Sequence, residues 1–368
     1  MNPKVVVGAR WSLVRRRGMA VLLAAVAVCG GGFVAATAGS AGAAAAQPAK
    51  KLRREKNVPL VIYSAQGYAP AEISAFEKRT GIKVEFDNNS TGPLLNQIEA
   101  STNNPNWGLL WVDGPTAFAA LDQQHLLLRG FEPKVKWTEL GRENIPKDRS
   151  FIPTGITLMA AVVYNSKVVK HPPKSWKALL DKQWDGAVGM NDPSQSGPTY
   201  PFVAGMMQYL GGEVAGKRYF MTLKKHGLVV NPTNGPTLQA LTSGQIKLAL
   251  VQSSAGIGAK LGDPSLRVKY LSPVTQLASC IGIDRRAPKL EQREAERFAE
   301  FVLSRAGQKV MQSGDPTGDS LYYPVLQGER PLKALPNIHS VRIQFLNPYL
   351  WGKREAGINR WFDSNIVQ

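Results

Sequence analysis

Apolar and polar positions repeat one unit three times between residues 58 and 121: an apolar strand, a turn of small polar residues, and a helix. Apolar runs and helical spacing predict strands at residues 60–63, 82–86 and 109–112, and helices at residues 70–80, from 93 onward, and 116–124. Strands that alternate with helices are typical of an α/β fold with a parallel sheet. Because ligands of open α/β sheets lie beyond the carboxyl ends of the strands, the polar turns are candidate binding segments.

A second α/β pattern lies between residues 187 and 251, and two long apolar runs flank it. The runs at residues 151–163 and 270–283 are longer than an ordinary strand and predict strands that cross between two lobes. We therefore assign residues 58–157 and 275–368 to lobe 1 and residues 158–274 to lobe 2. The other predicted elements are strands at 187–190, 228–230 and 246–251, and helices at 200–210, 236–241, 295–306 and 353–362.

The first 57 residues have the composition of an export signal and a tail. A basic start without acidic residues, an apolar run at residues 19–29 and small residues up to Ala46 predict a signal peptide over residues 1–46. Residues 47–57 are basic and predict a flexible tail. The mature protein is therefore expected in the periplasm. The choice between general secretory and twin-arginine export, and the lipidation of Cys29, stay open.

The charge and the scattered reactive residues exclude several function classes. The formal charge is +18, but residues 1–56 carry ten basic residues and one acidic residue, which leaves +9 for the body. No long basic run alternates with aromatic residues, so we expect no nucleic-acid partner. Apart from Cys29, Cys280 is the one cysteine, and its apolar neighbours predict a buried residue without a disulfide. The histidines lack metal-ligand spacing, and no dinucleotide or phosphate-loop motif occurs, so we expect neither metal nor cofactor.

Polar turns end strands in both halves of the chain. A single such turn is normally a helix cap, but their recurrence predicts a cleft lined by hydroxyls and helix N-termini, which favour anionic groups. Asp113 or Asp192 is expected to accept hydrogen bonds from ligand hydroxyls or an amine. The predicted ligand-binding residues are Ser64, Ser90, Thr91, Gly92 and Asp113 in lobe 1, and Asp192, Ser194, Ser196, Thr199, Asn234, Ser253 and Ser254 in lobe 2.

A secreted serine hydrolase is the alternative of another class. Residues 318–321 spell a lipolytic-esterase signature around Ser320, but they lie near the end of the chain, and no aspartate stands three positions before His339. Ser254 lacks the first glycine of a nucleophile elbow. The main prediction is therefore a binding protein and not an enzyme.

Three early segments and one late segment carry a family resemblance. Residues 63–65, 76–84 and 90–92 resemble the opening of extracellular solute-binding proteins of ABC importers, in the branch that holds ferric-iron, thiamine, phosphonate and hexose-phosphate binders. Residues 295–308 are similar to the C-terminal helix signature of that family. The resemblance implies a type II periplasmic-binding-protein-like fold, in which two α/β lobes joined by crossing strands close on a ligand. It also implies a monomer that docks on an ABC permease in the inner membrane.

The resemblance also bears on the ligand. Ferric binders of this branch carry adjacent tyrosines directly after the strand that matches residues 246–251, where this chain has Gln252, Ser253 and Ser254. Tyr322 and Tyr323 come later and are expected to pack in the core. Serine hydroxyls suit phosphoryl and carboxylate oxygens better than ferric iron, so a small anionic solute, an organophosphate or phosphonate, is favoured. Ferric iron and thiamine are the alternatives.

Overall fold

The computed structural model describes residues 59–316, 318 and 320–368, so the predicted signal peptide, the basic tail and Cys29 lie outside the described residues. The strands of this part of the chain are β1 (Leu60–Ser64), β2 (Val84–Asn88), β3 (Leu109–Asp113), β4 (Phe151–Asn165), β5 (Val188–Asn191), β6 (Val229–Asn231), β7 (Leu248–Val251), β8 (Leu266–Ile283) and β9 (Ile343–Gln344).

Helices cover both faces of the sheet that these strands form, as in other α/β proteins. They are α1 (Ala69–Thr80), α2 (Thr91–Ala100), α3 (Pro115–Gln123), α4 (Glu139–Glu143), α5 (Thr199–Tyr209), α6 (Glu213–Lys225), α7 (Asn234–Thr242), α8 (Ser253–Gly262), α9 (Lys289–Val302), α10 (Arg305–Ser313) and α11 (Pro348–Phe362). Single turns of other helical types lie at Lys177–Leu180, Lys182–Trp184, Ile338–Ser340 and Asp363–Val367.

The strands lie in the order β2-β1-β3-β8-β4-β7-β5-β6, with β9 beside β8. The strands β2, β1 and β3 are parallel and form what we call the first lobe; β7, β5 and β6 are parallel and form the second lobe. Between them, β4 and β8 are antiparallel along their length, from the pair Phe151 and Gly282 to the pair Asn165 and Leu266. The predicted crossing strands are thus confirmed, and they connect two α/β lobes.

Each lobe has an aromatic core. In the first, Phe298 contacts Phe76 and Trp111 edge to face, with ring centroids 5.1 and 5.7 Å apart. In the second, the Phe220 ring contacts those of Phe202 and Phe362 of α11, with ring centroids 6.0 and 5.5 Å apart. Helix α11 also lies against α3 of the first lobe, so the C-terminal helix contacts both lobes.

Three local features differ from the sequence predictions. Helix α6 was not predicted; its burial is confined to one narrow face, and two glycines precede it. Helix α2 begins at Thr91 and not at Pro93, because Ser90 adopts the extended N-cap conformation. The amphipathic segment at residues 295–306 divides between α9 and α10, because the Ser304 hydroxyl accepts the hydrogen bond of Gly307 N and starts a new helix.

Candidate functional site

A cavity of about 400 Å³ lies between the two lobes, at the carboxyl ends of their parallel strands. Both lobes contribute to its walls, as expected for a ligand site between the lobes of an α/β protein. The lining residues are Ala65, Asn88, Asn89, Ser90, Thr91 and Asp113 from the first lobe, and Ser196, Gly197, Pro198, Thr233, Asn234, Gly235 and Gln252 from the second.

Four helices begin at this cavity. Helix α2 begins at its wall with Ser90 and Thr91, α7 with Thr233 to Gly235, α8 directly after Gln252, and α5 directly after Ser196 to Pro198. The first backbone N–H groups of a helix have no intrahelical partner, and the helix N-terminus carries partial positive charge. Among the residues that line the cavity there is no lysine, arginine or histidine. Backbone dipoles and hydroxyls therefore provide the electropositive surface for an anionic group.

Asp113 lies at the floor of the cavity, in a buried hydrogen-bond network that spans both lobes. Its Oδ1 accepts from Gln66 Nε2 at 3.0 Å, and its Oδ2 accepts from the Tyr322 hydroxyl at 2.8 Å. The Tyr322 oxygen in turn accepts from Gln252 Nε2 at 2.7 Å, and the same amide donates to Ser254 Oγ at 2.7 Å. Tyr322 therefore connects Asp113 of the first lobe to Gln252 of the second.

Burial controls the electrostatics of this floor. It raises the pKa of Asp113 above its ordinary value, although hydrogen bonds from Gln66, Tyr322 and other neighbours act in the opposite direction. Gln252 is fully buried, and its Oε1 has no hydrogen-bond partner within the described part of the chain. A buried oxygen without a donor is costly. The floor therefore presents a carboxyl group and an amide oxygen, both of which accept hydrogen bonds.

Asn191, at the end of β5, holds the turns of the second lobe together. Its Nδ2 donates to Asn234 Oδ1 at 2.7 Å and to Ser196 Oγ at 3.3 Å, and its Oδ1 accepts from the Thr237 hydroxyl at 2.7 Å. These bonds fix the orientation of two side chains that line the cavity.

The structure brings five of the predicted site residues to the cavity wall. They are Ser90, Thr91, Asp113, Ser196 and Asn234. Gly92 lies beside the wall and contacts the second lobe, where its N–H donates to the carbonyl oxygen of Gln195 at 3.2 Å. The remaining predicted residues, Ser64, Asp192, Ser194, Thr199, Ser253 and Ser254, do not line the cavity.

Several of these remaining residues hold the backbone or other side chains in place. Ser64 Oγ donates to the carbonyl oxygen of Trp111 at 2.8 Å and accepts from Gln66 N at 3.1 Å. Ser253 Oγ lies 2.8 Å from the Thr157 hydroxyl and accepts from Leu158 N at 3.2 Å. The first serine thus positions the segment that carries Gln66, and the second fixes α8 against β4.

Three others lie around the start of α5. Asp192 Oδ1 accepts from both N and Oγ of Ser194 at 2.8 Å, which closes a local turn. This turn shapes the loop that carries Ser196 into the cavity. Thr199 is fully buried, and its Oγ1 has no partner among the described residues.

The predicted site residues do not include the cavity-lining Asn88, Asn89, Thr233 and Gln252, nor the supporting Gln66, Asn191 and Tyr322. Gln252 stands directly after a predicted strand and Gln66 in the turn after another, which is a signal that glutamine shares with the serines that were selected. Tyr322 gave no such signal, because it lies in a proline-rich loop far from both lobes' turns in sequence.

Neither serine of the hydrolase alternative is placed for nucleophilic attack. Ser254 Oγ accepts a hydrogen bond from the Gln252 side-chain amide. Ser320 is fully buried, and its Oγ accepts a hydrogen bond from Asp315 N. Cys280 is buried as predicted, and burial raises the pKa of its thiol well above the ordinary value, which opposes thiolate chemistry.

Within residues 59–316, 318 and 320–368, no helix combines the length and the apolar character that a membrane span requires. The same residues contain no group of three or more His, Cys, Asp and Glu side chains arranged to hold a metal ion.

Comparison with known proteins gives one family match and a set of distant relatives. Residues 71–327 match the family model described as "Bacterial extracellular solute-binding protein". The chain is 21% identical over 262 residues to the "Putative 2-aminoethylphosphonate-binding periplasmic protein" of Salmonella typhimurium, which covers 68% of this chain and 75% of that protein. A protein of the same name from Salmonella paratyphi A matches to the same extent.

Solved structures share the fold. Iron-bound HitA from Pseudomonas aeruginosa superposes with a TM-score of 0.72 and 23% identity, over 82% of this chain and 98% of that one. AfuA from Actinobacillus pleuropneumoniae, with fructose-6-phosphate bound, superposes with a TM-score of 0.75 and 19% identity, over 84% of this chain and 99% of that one. At these identities the likeness establishes the two-lobed fold and leaves the ligand to the chemistry of the cavity.

Proposed function

Because the chain belongs to the family of bacterial extracellular solute-binding proteins, we propose that it captures a small phosphonate or phosphate ester with an amino group and delivers it to an ABC permease. It makes and breaks no bond. The two lobes close on the solute, and the closed monomer docks on the permease from the periplasmic side.

The observation that carries this proposal is the set of four helix N-termini at a cavity that no cationic side chain lines. Phosphoryl oxygens accept several hydrogen bonds at once, and helix N-termini supply N–H donors together with positive potential. The hydroxyls of Ser90, Thr91 and Ser196 add further donors. Since these groups come from both lobes, an anion bound to them stabilises the closed arrangement.

The opposite chemistry of the cavity floor supports an amino group on the same solute. Asp113 and Gln252 Oε1 are acceptors, and the second has no donor in the described part of the chain. An ammonium group offers three donors and a positive charge next to the carboxyl group. A short aminoalkylphosphonate satisfies both ends of such a site, and the name of the Salmonella relative is consistent with this solute class.

Ferric iron and thiamine are the competing ligands within the same fold. Ferric iron requires several anionic oxygen ligands, whereas Asp113 is the one carboxylate among the residues that line the cavity. Thiamine carries a cationic ring and would use the carboxyl group, but it would leave the helix N-termini without an anion. The aminophosphonate is therefore the solute that uses every feature of the cavity.

The test is isothermal titration calorimetry of the purified protein with 2-aminoethylphosphonate, ethylphosphonate, fructose-6-phosphate, thiamine and ferric citrate. We expect the aminophosphonate to bind most tightly. Ser196→Ala removes a hydroxyl from the cavity and is expected to weaken binding roughly 3- to 10-fold, the cost of one hydrogen bond. Ser313→Ala, an exposed serine of α10 outside the cavity, is the control and should bind as the native protein does. Tight binding of ferric citrate with a visible colour, and none of the phosphonates, would contradict the assignment.

A further inference from the structure

Three buried side chains below the cavity form a closed triangle of hydrogen-bond distances. Gln66 Nε2 lies 3.0 Å from Asp113 Oδ1, the Tyr322 hydroxyl lies 2.8 Å from Asp113 Oδ2, and the same hydroxyl lies 3.1 Å from Gln66 Oε1. Gln66 is 1% exposed and Tyr322 is fully buried, so water does not replace a missing partner easily.

The number of hydrogens in this triangle depends on the protonation of Asp113. The Tyr322 phenol has one hydrogen, and among the described residues it faces the two acceptors Asp113 Oδ2 and Gln66 Oε1. If Asp113 is ionised, the hydrogen goes to the carboxylate, and Gln66 Oε1 is left without that donor. If Asp113 is protonated, its O–H donates to Tyr322, the phenol donates to Gln66 Oε1, and the Gln66 amide donates to Oδ1. Only the protonated form completes all three bonds, and an unsatisfied buried oxygen is costly.

Within the described part of the chain, no cationic side chain acts on the carboxyl group of Asp113. The ionisable groups that interact with it there are Tyr322 from its loop, Tyr68 directly before α1 and Cys280 from β8. Burial raises the pKa of Tyr68 and of Cys280, so both stay neutral, and the carboxyl group of Glu72 lies behind Tyr68. Burial also raises the pKa of Asp113 itself. Geometry and desolvation thus favour the same neutral form.

We propose that Asp113 carries a proton in the empty cleft and releases it when a solute ammonium group binds there. One proton leaves the carboxyl oxygen for solvent, one ammonium group takes its place, and the phenol hydrogen turns to Asp113 Oδ2. Gln252 lines the same cavity, and its Oε1, buried without a donor in the described part of the chain, is the second acceptor proposed for the ammonium group. This exchange builds on the proposed function, because the helix N-termini hold the anionic end of the solute.

The exchange makes the site selective for zwitterions. A phosphonate without an amino group leaves Asp113 protonated and gains nothing at the floor. A solute with the amino group converts a neutral carboxyl group into one partner of a buried ion pair, and ion pairs with hydrogen bonds are stronger than neutral contacts.

The experiment counts protons. Binding of 2-aminoethylphosphonate is measured by calorimetry in Tris and in HEPES at one pH, since the difference in heat gives the protons released. Asp113→Asn is the matched variant, because its amide donates to Tyr322 and accepts from Gln66 as the neutral acid does. We expect the native protein to release about one more proton per solute than Asp113→Asn. Equal proton counts in the two proteins would overturn the exchange.

A second measurement examines the empty cleft without any solute. A carboxyl group whose pKa is raised by folding makes the native state less stable as pH rises from the ordinary aspartate range to the raised value. As pH rises above the ordinary aspartate range, the melting temperature of the native protein should therefore fall by roughly 2–4 °C relative to Asp113→Asn. The same pH dependence of the melting temperature in both proteins would overturn the proposal.

If neither 2-aminoethylphosphonate nor ethylphosphonate binds, the proposed function fails and the exchange fails with it. Binding with equal proton counts removes the exchange alone.

Discussion

Gly92 of the first lobe lies directly against the carbonyl oxygen of Ser194 in the second lobe, so close that a Cβ atom on Gly92 would overlap with it. The Gly92 N–H also donates to the neighbouring carbonyl oxygen of Gln195. The lobes therefore meet backbone to backbone at the edge of the cavity, a contact that only glycine allows.

Gly92→Ala is expected to prevent this contact while it leaves each lobe folded. Because the added methyl group cannot share the space of a carbonyl oxygen, the closed arrangement becomes strained, and solute affinity should fall at least about 10-fold, the equivalent of roughly 1.4 kcal/mol. Calorimetry with 2-aminoethylphosphonate measures the loss. Gly262→Ala, where a Cβ meets nothing within 4 Å, is the matched control. Unchanged affinity in Gly92→Ala would show that closure does not need this contact.

Tyr322→Phe removes the hydroxyl that joins Asp113 and Gln252. The variant keeps the ring but removes the Tyr322 hydroxyl from the buried Asp113 Oδ2 and Gln66 Oε1, so we expect the free energy of unfolding to fall by about 1–3 kcal/mol. Tyr323→Phe is the neighbouring control, since among the described residues the Tyr323 hydroxyl bonds to the carbonyl oxygen of Pro336 alone. Its loss should cost about 1 kcal/mol. Urea unfolding compares the two, and an equal loss in both would contradict a special role for Tyr322.

The contrast between Asp113 and Tyr322 shows what the sequence predicts and what it does not. The two-lobed α/β fold follows from local signals: apolar runs of strand length, helical spacing and polar turns. The same signals point to Asp113, Ser90 and Asn234, because each follows a strand or begins a helix. Tyr322 reaches Asp113 and Gln66 through tertiary packing alone, since its loop folds back over β4 and bonds to groups more than two hundred residues earlier.

The sequence also does not predict which serine hydroxyls point into the cavity. Ser90, which lines the cavity, and Ser64, which bonds to the backbone of Trp111, are the same residue type in polar segments that close a strand. Which way each hydroxyl points depends on the alternation of the strand and on the neighbouring strand, and neither is fixed by a local pattern.

Glu72 provides a prediction about pH. This carboxyl group of α1 is fully buried, and neither of its oxygens has a partner of normal hydrogen-bond geometry in the described structure. Burial raises its pKa well above the ordinary value, although the nearby backbone of Met311 acts in the opposite direction. An acid whose pKa is raised by folding binds its proton more tightly in the native state, so stability falls as pH rises from the ordinary glutamate range to the raised value.

Glu72→Met is therefore expected to raise the free energy of unfolding at pH 8 by about 1–3 kcal/mol, because it no longer buries an unpaired polar group, and to gain less at pH 4. Chemical denaturation at the two pH values measures the difference. The exposed Glu99→Met on α2 serves as the comparison. A gain of the same size at both pH values would indicate better packing and not the removal of a titrating group.

Two glycines of α11 give the last prediction, which concerns the helix that contacts both lobes. A Cβ on Gly352 would lie 2.6 Å from the carbonyl oxygen of Thr116 in α3, whereas a Cβ on Gly357 meets nothing within 4 Å. Trp351, beside Gly352, is held to α5 because its carbonyl oxygen accepts from the Tyr200 hydroxyl at 2.6 Å.

Gly352→Ala should therefore push α11 away from α3 while α5 retains it, at a cost of about 1–3 kcal/mol in unfolding free energy. Gly357→Ala, in the same helix, should instead stabilise the protein by up to about 1 kcal/mol, since alanine has the higher helix propensity. Urea unfolding of both variants distinguishes these signs, and a gain in stability for Gly352→Ala would mean that α11 does not need its close approach to the first lobe.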